Sequence, residues 1–502
     1  MGKIKQKPVL VIAGPGAGKT HDMVDRIMEA IPRLEPYRIL AAITYTNAAT
    51  ADIKERLSKR ISIPPNVFIG TNHSFCYKFI FKPFGTLIHK LPKELVFIDL
   101  DYGAMAQDVR GTQRIIKINS LKKNILARGL YGYDDILGVS AKILEENKHA
   151  RNILCNRLQY LFIDEFQDAN NSQLKVFEKI MKGGKTAIYA VGDPEQYIFK
   201  FTDTIKSWSY EKIAINKFKN NAEVKTNDEN HRSCDEIVRF INQFHCEINQ
   251  KSENGSSVHG GVYFICGNNL DSIIQSYRDI TKILDVGDLP VVKYYLSYMN
   301  RTFEDVAKKW RLIPVSNDST KGLRLIDEAL KVLSSVVGKN GKQICEKYKL
   351  DRIGLRKKCL RLVKAIRKCK VKNGEDVEGF IENDLGLKAE RELPRNKVED
   401  KLRKLVCYEP MDDTSCEFEM YSTIHKAKGL QADAVLAVAE NKSQLVKWLM
   451  TDKKARFKEK TDMCRIGYVA FSRAKTILCI ACLAKIDKTF EKELERLGVS
   501  KK

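Results

Sequence analysis

The chain has 502 residues, of which 43% are hydrophobic and 30% are charged, so it is too long for one compact core and predicts two to four domains. Lys and Arg outnumber Asp and Glu by 87 to 63, a formal charge of +24. This excess favours a polyanionic partner such as nucleic acid, although charge alone also fits a protein that is merely basic and soluble. No apolar run approaches the roughly 20 residues of a membrane span, and the start, MGKIKQKPVL, lacks the apolar region of a signal peptide. We therefore expect a cytoplasmic protein that has no membrane partner.

Short apolar runs separated by helix-like segments predict buried parallel strands. In the first half of the chain these runs are Val9 to Ile12, Ile39 to Thr44, Tyr160 to Ile163 and Ala187 to Val191. A second set lies near Val262 to Cys266, Val291 to Leu296, Ala434 to Val438 and Thr476 to Ile480. Such alternation is typical of α/β folds, so we predict two α/β cores that face each other.

Two stretches, from about residue 76 to 130 and from about 312 to 410, are helix-like and rich in Lys and Arg. The densest basic stretch runs from Lys339 to Lys372. Its apolar residues recur at helical spacing, which puts the positive charges on the opposite face; these residues are Ile353, Leu360, Val363 and Ile366. A solvated helix face and a face that contacts phosphates or a partner both remain open.

The 13 cysteines show no pair of C-x-x-C motifs at zinc spacing, so reduced thiols are expected. Cys479 and Cys482 form a single C-x-x-C within the apolar run Ile477 to Leu483. This run is typical of a buried strand with side chains on alternating faces, and we assign both thiols to the core and not to a metal site.

A glycine-rich loop follows the first apolar run and precedes a helix-like segment from Asp22 to Ile31. This is the context that a phosphate-binding Walker A loop requires. Backbone N–H groups converge on phosphates there, Lys19 would pair with the β- and γ-phosphates, and the Thr20 hydroxyl would bind Mg²⁺. The residues of the loop are Ala13, Gly14, Pro15, Gly16, Ala17, Gly18, Lys19 and Thr20.

Two adjacent carboxylates follow the apolar run Tyr160 to Ile163. At the end of a buried strand, Asp164 would lie beside the phosphate loop and hold Mg²⁺ through its water shell. Glu165 would polarise the water that attacks the γ-phosphate. The pair predicts ATP hydrolysis with Mg²⁺.

Six further segments complete a series of motifs: ITYTNAA (Ile43 to Ala49), GTNHSF (Gly70 to Phe75), GDPEQYIF (Gly192 to Phe199), NHRS (Asn230 to Ser233), TIHKAKGL (Thr423 to Leu430) and YVAFSRAK (Tyr468 to Lys475). With the two nucleotide motifs, this series resembles superfamily 1 helicases of the UvrD/Rep type from residue 9 to about 480. The resemblance implies two RecA-like P-loop domains whose parallel sheets face each other, interrupted by two reduced, mainly helical inserts. The first domain would comprise 1–75 and 131–205 around the insert 76–130, and the second 206–311 and 411–502 around the insert 312–410.

The resemblance also implies roles for residues outside the phosphate loop. Gln196 would sense the γ-phosphate, and Arg232 and Arg473 would be arginine fingers from the second core. Cations that reach the γ-phosphate across a cleft stabilise transition-state charge and couple hydrolysis to closure. On the nucleic-acid side, bases would stack on two aromatic rings and the backbone would pass near three polar side chains: Tyr45 and Phe201, then Thr71, His73 and His425. Both rings could instead be core filler.

Several residues depart from the family pattern. Only twelve residues precede Ala13, so the upstream glutamine motif for adenine is missing from the sequence and adenine selectivity is in question. His21 and His231 stand at the positions whose family counterparts sandwich the base, so two imidazoles would stack on it. Gln431 replaces a glutamate associated with the ribose contact, and Thr202 replaces an arginine.

These features predict an ATP-dependent DNA helicase or translocase, 3′ to 5′ by resemblance, acting on single-stranded or partly duplex DNA. The short inserts predict weak unwinding without a partner. In size and insert reduction the chain is similar to the helicase subunit of the Gabija antiphage defence system, which implies an OLD-family nuclease as partner. The alternative is a sensor that binds DNA ends and nucleotide and hydrolyses ATP slowly to license a nuclease.

Overall fold

The computed structural model describes residues 7–87, 92, 96–98, 102–133, 135–198, 213–253, 260–267, 269–284, 291–315, 329–330, 332–334, 336–338, 341–367, 374–388, 417–459 and 461–502. Phe201 and Thr202 therefore lie outside the described residues. The chain divides into two compact units, one formed by 1–315 with 416–502 and the other by 316–415.

The described part of the chain contains 17 β-strands. They are β1 (Val9–Ala13), β2 (Ile39–Thr44), β3 (Val67–Thr71), β4 (Val96–Phe97), β5 (Leu130–Tyr131), β6 (Leu158–Ile163), β7 (Ala187–Gly192), β8 (Glu223–Asn227), β9 (Glu229–Asn230), β10 (Lys251–Ser252), β11 (Gly261–Ile265), β12 (Val291–Ser297), β13 (Ile313–Pro314), β14 (Glu417–Thr423), β15 (Ala432–Ala439), β16 (Ala474–Cys482) and β17 (Ser500–Lys501).

The α-helices surround these strands. They are α1 (Lys19–Ala30), α2 (Asn47–Ser58), α3 (Asn72–Cys76), α4 (Lys82–Phe84), α5 (Gly111–Ala127), α6 (Asp135–Glu146), α7 (Lys148–Arg157), α8 (Asn171–Gly183), α9 (Ala214–Lys219), α10 (Asp235–Asn242), α11 (Leu270–Thr281), α12 (Arg301–Trp310), α13 (Gly341–Lys347), α14 (Arg352–Arg367), α15 (Gly374–Asn383), α16 (Lys442–Trp448), α17 (Lys453–Lys458), α18 (Met463–Phe471) and α19 (Lys488–Arg496). No helix among the residues that the structure describes is long and apolar enough to cross a membrane.

The first sheet has six strands in the order β3-β2-β6-β7-β1-β8, and every pairing is parallel. Strand β1 shows why its sequence is apolar throughout. Leu10 and Ile12 enter one buried cluster, whereas Val11 and Ala13 enter another on the opposite face. Because all strands run the same way, the residues that follow β1, β6 and β7 meet at one edge of the sheet.

The second sheet has seven strands in the order β13-β14-β12-β15-β16-β11-β17, again with parallel pairings. All eight residues of β15 are buried. Cys479 and Cys482 lie in β16 and point into different apolar clusters on its two faces, as the strand interpretation predicts. The α/β class with parallel sheets is confirmed, as are all eight predicted strands.

The sequence missed several strands. β8 (EVKTN) pairs with β1 at an edge, and four of its five residues are exposed, so it has no apolar run. The polar β14 (EFEMYST) was missed for the same lack of an apolar run. In the stretch from 76 to 130, which was expected to be helix-like, β4 pairs in parallel with β5 beside the long helix α5.

The unit 316–415 contains α13, α14 and α15 around its own apolar cluster. Among the α14 side chains that the structure describes, the buried residues are Leu355, Cys359, Leu362, Val363 and Ala365, whereas Leu360 is 43% exposed. The prediction that Leu360 belongs to the apolar face was wrong, because the buried residues lie at i, i+4, i+7, i+8 and i+10 from Leu355, and Leu360 at i+5 is not on that face. The side chains of Ile353 and Ile366 lie outside the description.

Candidate nucleotide-binding site

The glycine-rich loop joins β1 to α1 at the carboxyl edge of the first sheet. Gly16 and Gly18 have φ values of 77° and 72°, the left-handed region that side chains disfavour. The Lys19 ammonium donates hydrogen bonds to the carbonyl oxygens of Ala13 at 3.2 Å and Gly14 at 3.0 Å. Thr20 is the second residue of α1 and is half-buried. The lysine therefore lies over the loop at the amino end of a helix, where anions are favoured.

Residues from the end of β8 onward contact the opposite side of the loop. The side-chain amides of Asn230 and Gln250 both donate to the carbonyl of Pro15, at 3.0 and 3.1 Å. The Asn227 amide donates to the Ala17 carbonyl at 3.1 Å, and the backbone N–H of His231 donates to the Gly16 carbonyl at 2.9 Å. These hydrogen bonds hold the carbonyl groups of Pro15, Gly16 and Ala17 in place.

The glycines of the loop are also required for space. A Cβ atom on Gly14 would lie 2.5 Å from the Gln250 side chain, and one on Gly16 would lie 2.6 Å from the Asn230 side-chain oxygen. The loop and these two amides thus approach more closely than any side chain on either glycine would allow.

The two predicted carboxylates follow β6. Asp164 is 3% exposed and accepts a hydrogen bond from the Glu165 backbone N–H at 2.9 Å. Burial, and then the charge of Glu165, raise the pKa of Asp164 above its usual range. Burial also acts to raise the pKa of Glu165, but the cations of Lys19 and Lys428 outweigh it and the pKa is lowered. Gln167 donates a hydrogen bond to Glu165 and holds its side chain.

Asp193 and Gln196 follow β7, and both are buried. The Gln196 side-chain amide donates to Asp193 Oδ2 at 2.8 Å, while its Oε1 accepts from the Arg473 guanidinium at 3.3 Å. Gln196 therefore joins the edge of the first sheet to an arginine that immediately precedes β16 of the second.

Three cationic side chains approach the carboxyl edge of the first sheet from segments outside that sheet: Arg232, Lys428 and Arg473. Arg473 is 1% exposed, and burial lowers its pKa to about 10. Burial, and then the charge of Arg473, lower the pKa of Arg232 to about 9. Lys428 lies 2.7 Å from both carboxylate oxygens of Asp168 and donates to the Gln196 carbonyl at 2.9 Å. The site thus concentrates positive charge beside two ionisable carboxylates, an arrangement suited to a polyanionic substrate.

The residues predicted to face a base have separate partners. His21 contacts Asp25 at 3.0 Å and Arg60 at 3.2 Å. His231 contacts Glu229 at 3.0 Å, and its ring lies 3.8 Å from the Cβ position of Gly18. Gln431 accepts a hydrogen bond from Arg232 at 3.1 Å. None of these contacts tests whether the two histidines stack on a base, so that role stays a prediction.

The predicted nucleic-acid residues lie at the ends of strands. Tyr45 follows β2 and is half-buried against the core. Thr71 ends β3 and accepts the Ser74 N–H at 3.2 Å, capping α3. His73 stacks on Tyr133 with ring centroids 4.1 Å apart, and His425 meets Tyr298 edge to face at 5.7 Å.

Several contact residues received no role from the sequence. Asn230 and Lys428 lie inside quoted motifs, and those motifs were the available signal. His245 and Gln250 lie outside every motif, and their contacts with Asp193 and Pro15 form only in the folded chain.

Comparison with known proteins supports the motif series. The family model described as the UvrD/REP helicase N-terminal domain matches residues 2–102 and 87–207. A probable DNA helicase II homolog of Mycoplasma genitalium is 22% identical over 95% of this chain and 83% of its own length. The ATP-dependent DNA helicase Rep of Escherichia coli is 26% identical, over 39% of this chain and 35% of its own. The Gabija protein GajB of Bacillus cereus is 27% identical, over 55% of this chain and 54% of its own.

A parallel sheet that presents a glycine-rich loop, a lysine and two carboxylates at one edge defines a P-loop protein. Within that class, the family match over residues 2–207 and the relatives show that the chain is similar to UvrD/Rep-type helicases. Its alignments cover about a third to a half of Rep and GajB, so it spans only part of those relatives.

Proposed function

We propose that the chain is an ATP-dependent DNA helicase or translocase in which two RecA-like cores, one on each sheet, share one nucleotide site. The observation that carries the proposal is a set of cations next to strands of the second sheet. These cations contact residues that follow β6 and β7 at the carboxyl edge of the first sheet. Arg473 binds Gln196 at 3.3 Å, and Lys428 binds Asp168 at 2.7 Å. Groups that cross between two cores in this way can link the state of the nucleotide to relative movement.

The buried residues fit Mg²⁺ and the phosphates of ATP. Asp164 is a buried carboxylate whose pKa is raised, so a cation beside it would restore its charged form. A carboxylate and a hydroxyl are oxygen ligands of the kind that Mg²⁺ prefers, and Asp164 and Thr20 would hold the ion. The bound ion would neutralise charge on the phosphates, while Glu165 takes the proton of the attacking water.

The nucleic acid would be single-stranded or partly duplex DNA, moved in the 3′ to 5′ direction that the family resemblance implies. The relatives named as DNA helicases support this substrate. Tyr45, Thr71, His73 and His425 would contact the DNA, because each lies at or just beyond the carboxyl end of a β-strand. The residues 76–130 and 312–410 would be the reduced inserts of the two cores.

The likeness to GajB supports an antiphage role with a nuclease as protein partner, for which the OLD-family subunit is our proposal. A sensor that hydrolyses ATP without movement is the competing function. Displacement of an end label from single strands of increasing length separates the two. A delay that grows with length supports a motor, whereas kinetics independent of length would favour the sensor.

The nucleotide site is tested with Lys19→Ala and Glu165→Gln, assayed for ATP hydrolysis with and without single-stranded DNA. We expect each to lower the DNA-stimulated rate by about 10²-fold or more, because each removes charge or proton transfer at the reacting phosphate. Lys59→Ala is the matched control, since Lys59 is 70% exposed and pairs only locally with Glu55. Full hydrolysis by Lys19→Ala would show that the phosphate loop has been misassigned.

A further inference from the structure

A buried histidine outside every sequence motif contacts Asp193 at the carboxyl edge of the first sheet. His245 is 2% exposed and lies in the segment 242–250, which begins at the last residue of α10. Its Nδ1 accepts two backbone hydrogen bonds, from Glu247 at 3.0 Å and Ile248 at 3.1 Å. Because Nδ1 is occupied as an acceptor, the proton of the ring lies on Nε2. His245 Nε2 therefore donates to Asp193 Oδ1, 3.0 Å away.

Asp193 distributes four hydrogen bonds over its two oxygens. Oδ1 accepts from His245 and from the Glu195 backbone N–H at 2.9 Å. Oδ2 accepts from the Gln196 amide at 2.8 Å and from the Tyr468 hydroxyl at 3.4 Å. With four donors, the carboxylate stays ionised although it is fully buried. Its orientation is fixed because each oxygen accepts two hydrogen bonds.

The orientation of Asp193 decides the orientation of Gln196. A glutamine amide can present either its NH₂ group or its oxygen in a given direction. Because the NH₂ group of Gln196 is bound to Asp193, its Oε1 points to the opposite side, where it meets Arg473 at 3.3 Å. A change at Asp193 would allow the amide to rotate and lose this contact.

The segment that carries His245 is itself tied to the phosphate loop. Asn242 and Gln250 exchange two hydrogen bonds of 2.8 Å, which close the segment into a loop. The Gln250 side chain then donates to the Pro15 carbonyl at 3.1 Å. One nine-residue segment thus contacts both the phosphate loop and the carboxylate that orients Gln196.

We propose that His245 is a positioning residue for ATP hydrolysis, which acts through Asp193 to hold the Gln196 side-chain oxygen toward Arg473 and the reacting phosphate. This inference rests on the proposed ATPase function and adds a residue to it. Because His245 would act only through Asp193, its loss should lower kcat and leave the KM for ATP nearly unchanged.

Two conservative variants separate this role from a role in folding of the segment. His245→Asn keeps an acceptor near Nδ1 for the two backbone N–H groups and loses the donor to Asp193. His245→Gln places an amide donor near the position of Nε2 and loses the Nδ1 acceptor. We expect kcat to fall about tenfold in His245→Asn, with KM within about twofold, and to stay within about threefold of wild type in His245→Gln. The reverse order, with His245→Gln the more impaired variant, would show that His245 serves only the fold of its segment.

A double-mutant cycle with Gln196→Ala completes the test. If His245 acts through Gln196, His245→Asn should change kcat less than about twofold in the Gln196→Ala background. Equal effects in both backgrounds would overturn the positioning role while leaving the ATPase proposal intact. A wild-type protein that does not hydrolyse ATP with DNA present would instead reject the proposed function, and the inference with it.

Discussion

Lys428 forms a buried ion pair that joins the two sheets. Its ammonium lies 2.7 Å from both oxygens of Asp168, and the two side chains are only 10% and 9% exposed. Burial, which the charge of Lys428 only partly offsets, raises the pKa of Asp168 to about 6. The pair therefore depends on the lysine to keep a buried carboxylate charged at neutral pH.

We expect Lys428→Met to lower the rate of ATP hydrolysis at least tenfold and to reduce stability. Removing one partner of a buried pair commonly costs about 3–5 kcal/mol, and the Gln196 carbonyl also loses its donor. Steady-state hydrolysis and the Tm measure the two effects. Lys426→Met is the control, because Lys426 lies in the same motif and is exposed; equal losses in both variants would argue against the pair.

The pH dependence of stability should report on Asp193. Burial acts to raise the pKa of Asp193, but His245, the charge of Lys19 and the Gln196 hydrogen bond together outweigh it and lower the pKa from 3.8 to about 2. A carboxyl with a lowered pKa in the fold stabilises it above the ordinary pKa, and this contribution is lost as the pH falls from about 4 to about 2. The difference corresponds to about 2 kcal/mol.

Asp193→Asn should therefore be less stable than wild type at pH 5 and lose less stability on acidification. Chemical unfolding followed at pH 5 and at pH 3 compares the two proteins. Equal changes between the two pH values in both proteins would show that Asp193 does not titrate in the way its contacts imply.

At the scale of elements, the glycine-rich loop is shaped by a second segment of chain. A Cβ on Gly16 would lie 2.6 Å from the Asn230 side chain and 2.8 Å from Arg232 Cβ. The φ of 77° adds backbone strain to this clash. The loop therefore depends on Asn230 and Arg232 as much as on its own glycines.

We expect Gly16→Ala to lower ATP hydrolysis about tenfold or more, because the loop must move away from Asn230 to accommodate the methyl group. Gly111→Ala is a matched control, since Gly111 also has a positive φ, of 59°, but has no atom within 4 Å of its Cβ position. The Tm should fall in both variants because of backbone strain. The rate of ATP hydrolysis should fall in Gly16→Ala alone. Comparable activity in the two variants would show that the close approach is unimportant.

For the whole molecule, the net charge of +24 bears on how the proposed DNA substrate would be held. If the strand is bound through its phosphates, the logarithm of the binding constant should fall linearly with the logarithm of salt concentration. For single strands the slope is about −0.7 for each phosphate neutralised, so several contacts give a steep dependence. Fluorescence anisotropy with an oligothymidine between about 50 and 200 mM salt measures it. A slope near zero would contradict phosphate binding and favour an ordinary basic surface.

The parallel α/β class and eight buried strands could be predicted from the sequence alone, and the glycine-rich loop and the two carboxylates after β6 could be recognised there as a predicted phosphate site. These features are local, because a buried strand needs a continuous apolar run and a phosphate loop needs glycines at fixed spacing. The edge strand β8 was not predicted from the sequence. Most of its side chains are exposed to solvent, so it does not need an apolar run.

The side chains that meet at the site could be identified only from the folded chain. Lys428 and Asp168 are 260 positions apart, and Gln250 and Pro15 are 235 apart. Such pairs carry no local pattern, because their distance depends on how two sheets and their connecting segments pack. For the same reason His245 could be recognised as a partner of Asp193 only after the chain between them was folded.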